Sequence, residues 1–204
     1  MKYLICSDIH GSFEAAQKII DFFNKEDCQK LLILGDTLYH GPRNPLPQGH
    51  NPIKVAELLN QHADKIFACR GNCDAEVDQK VLHFPIMDDF FELNCPDSTK
   101  LFCSHGHFYA PLNLDGKMPV NCEDAKSPDF QKNDRANNKT IFFYGHTHIS
   151  LLEKHSEKFF ICNPGSPSLP KGESQAGFAL FDSDLQTLSL LDMNGKELQS
   201  LQIK

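Results

Sequence analysis

The amino-acid sequence predicts an α/β fold in which two mixed β-sheets are flanked by helices, a four-layer αββα sandwich. Three observations support this. Strand-like apolar runs alternate with helical patterns up to about residue 80. After Val81 the apolar runs are short and mostly follow one another without room for helices. Polar residues come directly after most of these runs, as at the strand ends of α/β sheets. One domain over residues 1–204 is expected for a chain of this length.

The first half reads as strand, helix, strand, helix, strand. Its strand-like runs are Tyr3–Ser7, Leu31–Leu34 and Lys65–Cys69. Ser12 is placed to cap a first helix over residues 13–25, and a second helix is predicted near Ile53–Gln61. The first helix has apolar residues at helical spacing, namely Phe13, Ala16, Ile19, Ile20 and Phe23.

The second half is predicted to be rich in strands. Asp182-Ser183-Asp184 and Asn194-Gly195 are typical of hairpin turns near the end of the chain. Residues 113–139 are rich in Asp, Asn, Lys and Pro and are predicted to form a long surface loop or insertion. The predicted strands are Phe90–Leu93, Leu101–Ser104, Ile141–Tyr144, Leu151–Lys154, Phe159–Cys162, Gly177–Phe181 and Leu188–Leu191.

Composition excludes several classes of function. The net charge of −7 argues against a broad surface for nucleic acid or anionic membrane, since either needs a basic face. The N-terminal apolar run is too short for a signal peptide, so a cytoplasmic protein is expected. The eight cysteines include no C-x-x-C pair, and a disulfide framework is not expected. A phosphate-bearing substrate would need local positive charge, which metal ions supply.

Five short polar segments, each following a strand-like run, carry the chemistry. They are Asp8-Ile9-His10-Gly11, Gly35-Asp36, Arg70-Gly71-Asn72-Cys73-Asp74, Ser104-His105-Gly106-His107 and Gly145-His146-Thr147-His148. In extended backbone, residues i and i+2 project to one side, so each Asp-x-His or His-x-His pair would present two side chains to one cavity. Any one such pair alone is more often an ordinary polar pair; five in this order are hard to attribute to chance.

Asp, Asn and His side chains without thiolate form a mixed oxygen and nitrogen ligand set. This set suits Mn, Fe, Zn, Co or Ni rather than Ca or a structural zinc. Seven ligands are too many for one catalytic ion with an open position, and they suit two divalent ions about 3.5–4 Å apart that share a carboxylate. Mn is the expected occupant, with Fe, Zn, Co and Ni left open.

The order D-x-H, G-D, G-N, H-G-H, G-H-T-H resembles the signature of the calcineurin-like metallophosphoesterases, from residue 4 to about residue 170. The wider segments SDIHG, LGDTLYHGPRNPLPQG, RGNCDAEVDQ, SHGHFYAP, YGHTH and NPGSPSLPKG are similar to small bacterial YfcE-type phosphodiesterases. The resemblance implies hydrolysis of a small-molecule phosphodiester by in-line attack of a metal-bridging hydroxide. It implies one metal on Asp8, His10 and His148, the other on Asn72, His105 and His146, and Asp36 bridging both.

The resemblance also bears on residues near the metals. Asp36, Asn72, His105 and Cys73 are the expected catalytic residues. Many relatives have His where this chain has Cys73, and a thiol beside two cations would lose its proton more readily and be a poorer acid for the leaving group near pH 7. This favours activated or enzyme-specific diesters over alkyl monoesters, although Cys73 is equally compatible with a packing role.

Four further positions carry weaker expectations. His107 and Arg43 are candidates for binding substrate phosphate, although a structural hydrogen bond for His107 and a solvated side chain for Arg43 are alternatives. Asp74 is a candidate for orienting a ligand, and the Asn163–Ser166 segment for a supporting role.

Three readings of the function stay open. The leading one is a cytoplasmic phosphodiesterase acting on a small phosphate ester. A phosphomonoesterase or protein phosphatase of the same superfamily is the second, and the third is a binding scaffold, since the retromer complex contains a subunit of this fold with an impaired metal site. The sequence leaves homo-oligomer formation open.

Overall fold

The computed structural model describes residues 1–128 and 138–203. Strands and helices alternate up to the strand Ile66–Ala68, and the later elements are strands, apart from a short 3-10 turn at Asp78–Lys80. In the described residues none of the helices is long and apolar enough to cross a membrane. The elements are β1 (Lys2–Cys6), α1 (Phe13–Lys25), β2 (Lys30–Ile33), α2 (Pro52–Asn60), β3 (Ile66–Ala68), β4 (Phe90–Asn94), β5 (Lys100–Ser104), β6 (Thr140–Phe143), β7 (Leu151–Lys154), β8 (Phe159–Asn163), β9 (Gly177–Asp182), β10 (Thr187–Asp192) and β11 (Glu197–Gln202).

The strands form two mixed sheets, as predicted. The first has the order β11-β10-β9-β1-β2-β3, and the second has the order β4-β5-β6-β8-β7. β1, β2 and β3 are parallel, and so are β5, β6 and β8. Each sheet therefore contains three adjacent parallel strands, at one side of the first sheet and in the middle of the second, whose carboxyl ends lie together, where loops can bring polar side chains together.

Successive side chains along β1 and β2 point to opposite faces of the first sheet, so each face contributes to a different core layer. Leu4 and Leu31 face a core shared with α1 and α2, whereas Tyr3 and Leu32 face a second core that includes Leu101 of the other sheet. α1 begins at its predicted cap, because the Ser12 side chain accepts a hydrogen bond from the Ala15 N–H. The two sheets thus pack face to face, with these helices on the outer side of the first sheet.

The outer face of the second sheet carries a separate aromatic cluster. Phe102, Phe142 and Ile161 are buried there, and the loop residue Tyr109 packs against them. Within the described ranges this face is covered by loop side chains rather than by an α-helix.

The segment predicted as a surface loop is only partly described, because residues 129–137 of it lie outside the described residues. Over residues 113–128 it contains no helix and no named strand. It has a small core of its own, in which Cys122 and Ala125 pack with Ala110. This core keeps the loop folded beside the strand ends that carry the polar segments. All eight cysteines have free thiols.

Candidate metal centre

The polar segments lie together where the parallel strands of both sheets end. Asp8 and His10 follow β1, Asp36 follows β2, and Asn72 comes after β3. From the second sheet, His105 follows β5, and His146 and His148 come after β6. A backbone bond from Gly145 N–H to the His105 carbonyl, 2.8 Å, joins the last two loops. The face-to-face packing of the sheets therefore brings all seven predicted ligands to one edge.

The ligand residues have unusual backbone conformations. Asp8 and His10 have φ values of 56° and 51°, Asp36 has 53°, and His146 and His148 have 68° and 60°. Side chains were expected to project from extended backbone, and that expectation is wrong, because the strands have ended and these residues are left-handed. Left-handed conformations cost free energy in residues other than glycine and cluster at functional sites.

The first group of ligand atoms is fully buried. The Asp8 Oδ1 atom lies 3.3 Å from His148 Nε2 and 3.6 Å from His10 Nε2. The two Nε2 atoms are 3.2 Å apart. These three side chains form one cluster that is able to hold a metal ion.

Hydrogen bonds determine which ring nitrogens carry lone pairs. His10 donates its Nδ1–H to the Tyr39 carbonyl at 2.7 Å, and His148 donates its Nδ1–H to the Leu169 carbonyl at 2.6 Å. In their neutral forms both rings therefore aim an Nε2 lone pair at each other. Asp8 Oδ1, which is buried, has no hydrogen-bond partner in the described residues. Three acceptors converging without a donor fit a bound cation.

A second group surrounds His105. Its Nδ1–H donates to the Leu34 carbonyl at 2.7 Å, and its Nε2 faces Asn72 Oδ1 at 3.0 Å. Asp36 Oδ2 lies 3.6 Å from His105 Nε2 and 3.7 Å from His10 Nε2, so this carboxylate stands between the two groups. Asp8, Asp36 and His105 form another cluster that is able to hold a metal ion.

His146 is oriented differently from the other histidines. Its ring lies 5.1 Å from the His105 ring, and its Nε2–H donates to the Asn121 carbonyl at 2.9 Å. The neutral ring therefore carries its lone pair on Nδ1. The three metal-binding clusters of the described residues do not include His146. Its backbone N–H instead holds Asp8 by donating to Oδ2 at 3.0 Å.

Electrostatic coupling perturbs the ionisation of these groups. Burial opposes the charge on Asp8, but His105, His10 and His148 together hold its pKa well below the usual range. Burial lowers the pKa of His105, but Asp36 and Asp8 outweigh it and raise that pKa. The pKa of His10 is raised in the same way, because Asp8 outweighs the effect of burial. Carboxylate charge thus attracts positive charge to the centre, as a cation site requires.

Asp74 ties two of the ligand loops together. Its Oδ2 accepts hydrogen bonds from the Asp36 N–H and the Gly71 N–H, both at 2.8 Å, and its Oδ1 accepts from the Thr37 N–H at 2.9 Å. Burial and the nearby Asp36 carboxylate raise its pKa to about 6, while its N–H donors act the other way. The side chain thus fixes Asp36 relative to the loop that carries Asn72.

Replacing Asp74 by Asn should therefore destabilise the protein by about 2–3 kcal/mol, because the amide group turns an acceptor into a donor that faces backbone N–H groups. Urea unfolding of the two proteins measures the difference. The control is Asp64→Asn, which makes the same change on an exposed residue. Equal stability of the Asp74 variant and the wild type would contradict this role.

The other predicted site residues differ in their distance from the ligands. Cys73 shares a cluster with His10 and Asp36. The His107 ring lies 5.3 Å from that of His105, and burial together with the His105 charge lowers its pKa to about 4. Arg43 is exposed in the loop 41–49, and in the described residues it makes no hydrogen bond or ion pair with the centre.

Sequence reasoning missed the supporting groups that are backbone atoms. The carbonyls of Leu34, Tyr39 and Leu169 orient three imidazoles, and no side-chain pattern signals a carbonyl. The Asn163–Ser166 segment was expected to hold neighbouring residues of the site in place. In the structure the Asn163 side-chain amide donates to the Gly145 carbonyl at 2.9 Å. Ser166 Oγ donates to the Asp8 carbonyl at 2.8 Å. These bonds hold the strand-end loops in the conformations that the ligands need.

Comparison with known proteins assigns the chain to a family. Residues 1–186 match the family model of the calcineurin-like phosphoesterase superfamily domain. The chain is 41% identical over 198 residues to phosphodiesterase YfcE of Escherichia coli K12, covering 97% of this chain and 95% of that protein. It is 24% identical over 207 residues to phosphodiesterase MJ0936 of Methanocaldococcus jannaschii, covering 98% of each.

Solved structures agree with these matches. The structure of E. coli YfcE, described as a phosphoesterase, matches with a TM-score of 0.84 and 36% identity over the full length of both chains. Vps29 of Chaetomium thermophilum matches with a TM-score of 0.58 and 15% identity over 98% of this chain and 97% of that one, which shows the fold alone. The chain belongs to the calcineurin-like phosphoesterase superfamily.

Proposed function

We propose that this protein is a metal-dependent phosphodiesterase that hydrolyses a small-molecule phosphodiester. The observation that carries the proposal is the buried set of acceptors around Asp8 and Asp36, into which three imidazole nitrogens point without a donor between them. The 41% identity to a phosphodiesterase over 97% of the chain supports the reaction class.

In this proposal seven residues would hold two divalent ions. Asp8, His10 and His148 would hold one ion, Asn72, His105 and His146 would hold the other, and Asp36 would be shared by both. The mixed oxygen and nitrogen ligand set favours Mn, with Fe, Zn, Co or Ni as alternatives. Bound at this place, the ions would supply Lewis-acid activation of water and charge neutralisation on the phosphate.

The protein's own contribution is orientation and exclusion of water. Backbone carbonyls fix the tautomers of His10, His105 and His148. The Nε2 lone pair of each ring is therefore already oriented towards the proposed metal position, and the ring does not have to rotate before it binds. The side chains of Asp8, His10 and Asp36 are at most 3% exposed, which removes competing water from the charges. His107, whose ring lies 5.3 Å from that of His105, is a proposed phosphate ligand. Arg43 remains a proposed phosphate ligand that would have to reach in from the exposed loop.

A small substrate is favoured over a polymer. The net charge of −7 disfavours a nucleic-acid backbone, and the positive charge needed for phosphate is local to the centre. We place the enzyme in the cytoplasm, where its eight free thiols would persist.

Hydrolysis of paired aryl substrates tests the proposal. Chelator-treated protein should be inactive towards bis(4-nitrophenyl) phosphate and regain activity when Mn²⁺ is added, with a lower rate on 4-nitrophenyl phosphate. Absence of metal-dependent hydrolysis of both compounds would refute the enzyme. Preference for the monoester would refute the diesterase assignment and leave the metal centre intact.

Cys73 offers a prediction about the leaving group. Burial and the Asp36 carboxylate raise the pKa of its thiol, which is the opposite of the lowering expected from two bound cations. A thiol that holds its proton strongly and a thiolate that has lost it are both poor proton donors to a leaving group near neutral pH. Replacing Cys73 by His should raise kcat for diesters with high-pKa leaving groups by roughly tenfold to a hundredfold, because imidazole is a better general acid. The rate for 4-nitrophenolate, which needs little protonation, should change little.

A Brønsted series of aryl and alkyl methyl phosphates measures this effect, and Cys73→Ser serves as the control that supplies no acid. If Cys73→His gives the wild-type rate across the high-pKa leaving groups, Cys73 has a packing role.

A further inference from the structure

A cleft of about 500 Å³ is lined in part by loops that continue from the metal centre. It is bounded by α2, by the loop that follows β2, and by the segment 77–81 that comes after β3. Its volume falls in the range of about 300–1,000 Å³ that is typical of small-molecule sites. None of the seven proposed metal ligands lines it, so it is a separate feature of this edge of the sheets.

The cleft and the metal centre share two loops. Tyr39 lines the cleft, and its carbonyl accepts the Nδ1–H of His10 at 2.7 Å. Because Tyr39 is three residues after Asp36, their Cα atoms are no more than about 11 Å apart. A methyl group built on Gly41 would lie 3.0 Å from Cys73 Sγ, so this loop passes close to Cys73, the residue expected to act near the leaving group.

The lining of the cleft is mainly apolar. Leu38 and Ala56 form buried parts of it, while Ile53, Val77 and Val81 stand at its exposed rim. Ile53 is 71% exposed and Val77 is 67% exposed, which is unusual for two large aliphatic side chains on one concave surface. Apolar surface left open in this way is typical of binding sites.

The polar groups of the lining disfavour a second anion, and its one imidazole, His50, has a pKa lowered by burial and by the nearby His40. Asn60 is already used, since its Nδ2 donates to the Val81 carbonyl and its Oδ1 accepts the His83 N–H, both at 2.8 Å. Glu57 and Asp78 add two carboxylates. A ligand group in the cleft should therefore be uncharged or cationic, unlike the phosphate that the metal centre attracts.

We propose that this cleft is the subsite for one ester arm of the substrate, an uncharged apolar group such as an aryl or aryl-alkyl chain. This inference rests on the proposed function and narrows the substrate class to phosphodiesters with a hydrophobic arm. Because Tyr39 lines the cleft and its Cα lies within about 11 Å of that of Asp36, a flexible arm of that kind could extend from the metal centre into the cleft. A second copy of the chain is the competing occupant, and ligand binding distinguishes it from a substrate arm.

Calorimetric binding of non-hydrolysable phosphonates tests the subsite. The protein is loaded with Mn²⁺ and titrated with 4-phenylbutylphosphonate and with methylphosphonate, which differ only in the arm. The wild type should bind the phenylbutyl compound on the order of tenfold more tightly or better, because filling an apolar pocket has at least that effect. Ile53→Glu and Val77→Glu should abolish the preference.

The methyl compound cancels any general effect of the added charge, since a new carboxylate repels both phosphonates equally. Leu185→Glu is the matched control, because Leu185 is 64% exposed in the turn between β9 and β10, at the opposite end of the sheet from the centre. It should keep the full preference.

Failure of this inference differs from failure of the proposed function. Equal affinity for the two phosphonates in the wild type, or a preference that survives both rim substitutions, would overturn the subsite. A dimer that both rim substitutions dissociate, without any preference between the phosphonates, would assign the cleft to a second copy. An intact preference in a protein that does not hydrolyse bis(4-nitrophenyl) phosphate with Mn²⁺ would refute the function and keep the subsite.

Discussion

Replacing Asp36 by Asn is expected to lower both metal affinity and phosphodiester hydrolysis by more than about a hundredfold. Its carboxylate lies between the two groups of histidines, 3.6 Å from His105 Nε2 and 3.7 Å from His10 Nε2. Altering even an outer partner of a ligand typically costs about 10- to 100-fold, so loss of the charge shared by both ions should cost more. Metal content by elemental analysis and kcat on bis(4-nitrophenyl) phosphate measure the two effects.

The matched control for this change is Asp64→Asn. Asp64 is exposed and lies before β3, at the amino end of the sheet, so the variant removes the same charge without touching the centre. It should retain wild-type metal content and activity. An Asp36→Asn protein that kept both would show that the shared carboxylate is dispensable, as in a scaffold that does not depend on metal.

Replacing Gly71 by Ala is expected to destabilise the protein by about 3 kcal/mol or more and to abolish hydrolysis. A Cβ atom at Gly71 would collide with the Asp36 backbone N and Oδ1. Neither atom is free to move, because the Asp36 N–H is bound to Asp74 Oδ2 and Asp36 Oδ1 accepts the Cys73 N–H at 2.7 Å. Overpacking against fixed atoms has effects of this size, and here it also displaces a proposed ligand.

Gly116→Ala separates steric collision from backbone strain. A methyl group there would meet nothing within 4 Å, and only the positive φ of 72° opposes it. Its effect should be about 1 kcal/mol, with full activity. Thermal unfolding and kcat of both variants give the comparison. A Gly71→Ala protein no less stable than Gly116→Ala would contradict the close approach of the two loops.

Much of the fold follows from local patterns. Ser12 and the helical spacing after it predict α1 over residues 13–25, and the structure has the helix there. β11 was not predicted, because it is an edge strand with mostly exposed residues, and its sequence ELQSLQ has few apolar side chains to mark it. Which faces the helices cover also depends on tertiary packing, which short windows of sequence do not report.

The candidate site was only partly predictable. Strand-end motifs identify the seven ligand candidates, because Asp and His beside Gly stand out after apolar runs. The left-handed backbone of Asp36 and His148, and the carbonyls that orient the rings, depend on loop geometry and leave no such pattern. The cleft at Tyr39 joins residues that are far apart in the chain, so sequence periodicity does not reveal it.

The most direct test of the metal centre is anomalous diffraction from crystals loaded with Mn²⁺. We expect two peaks about 3.5–4 Å apart, one beside Asp8, His10 and His148 and one beside His105, with Asp36 between them. A single peak, or peaks away from these side chains, would contradict this expectation.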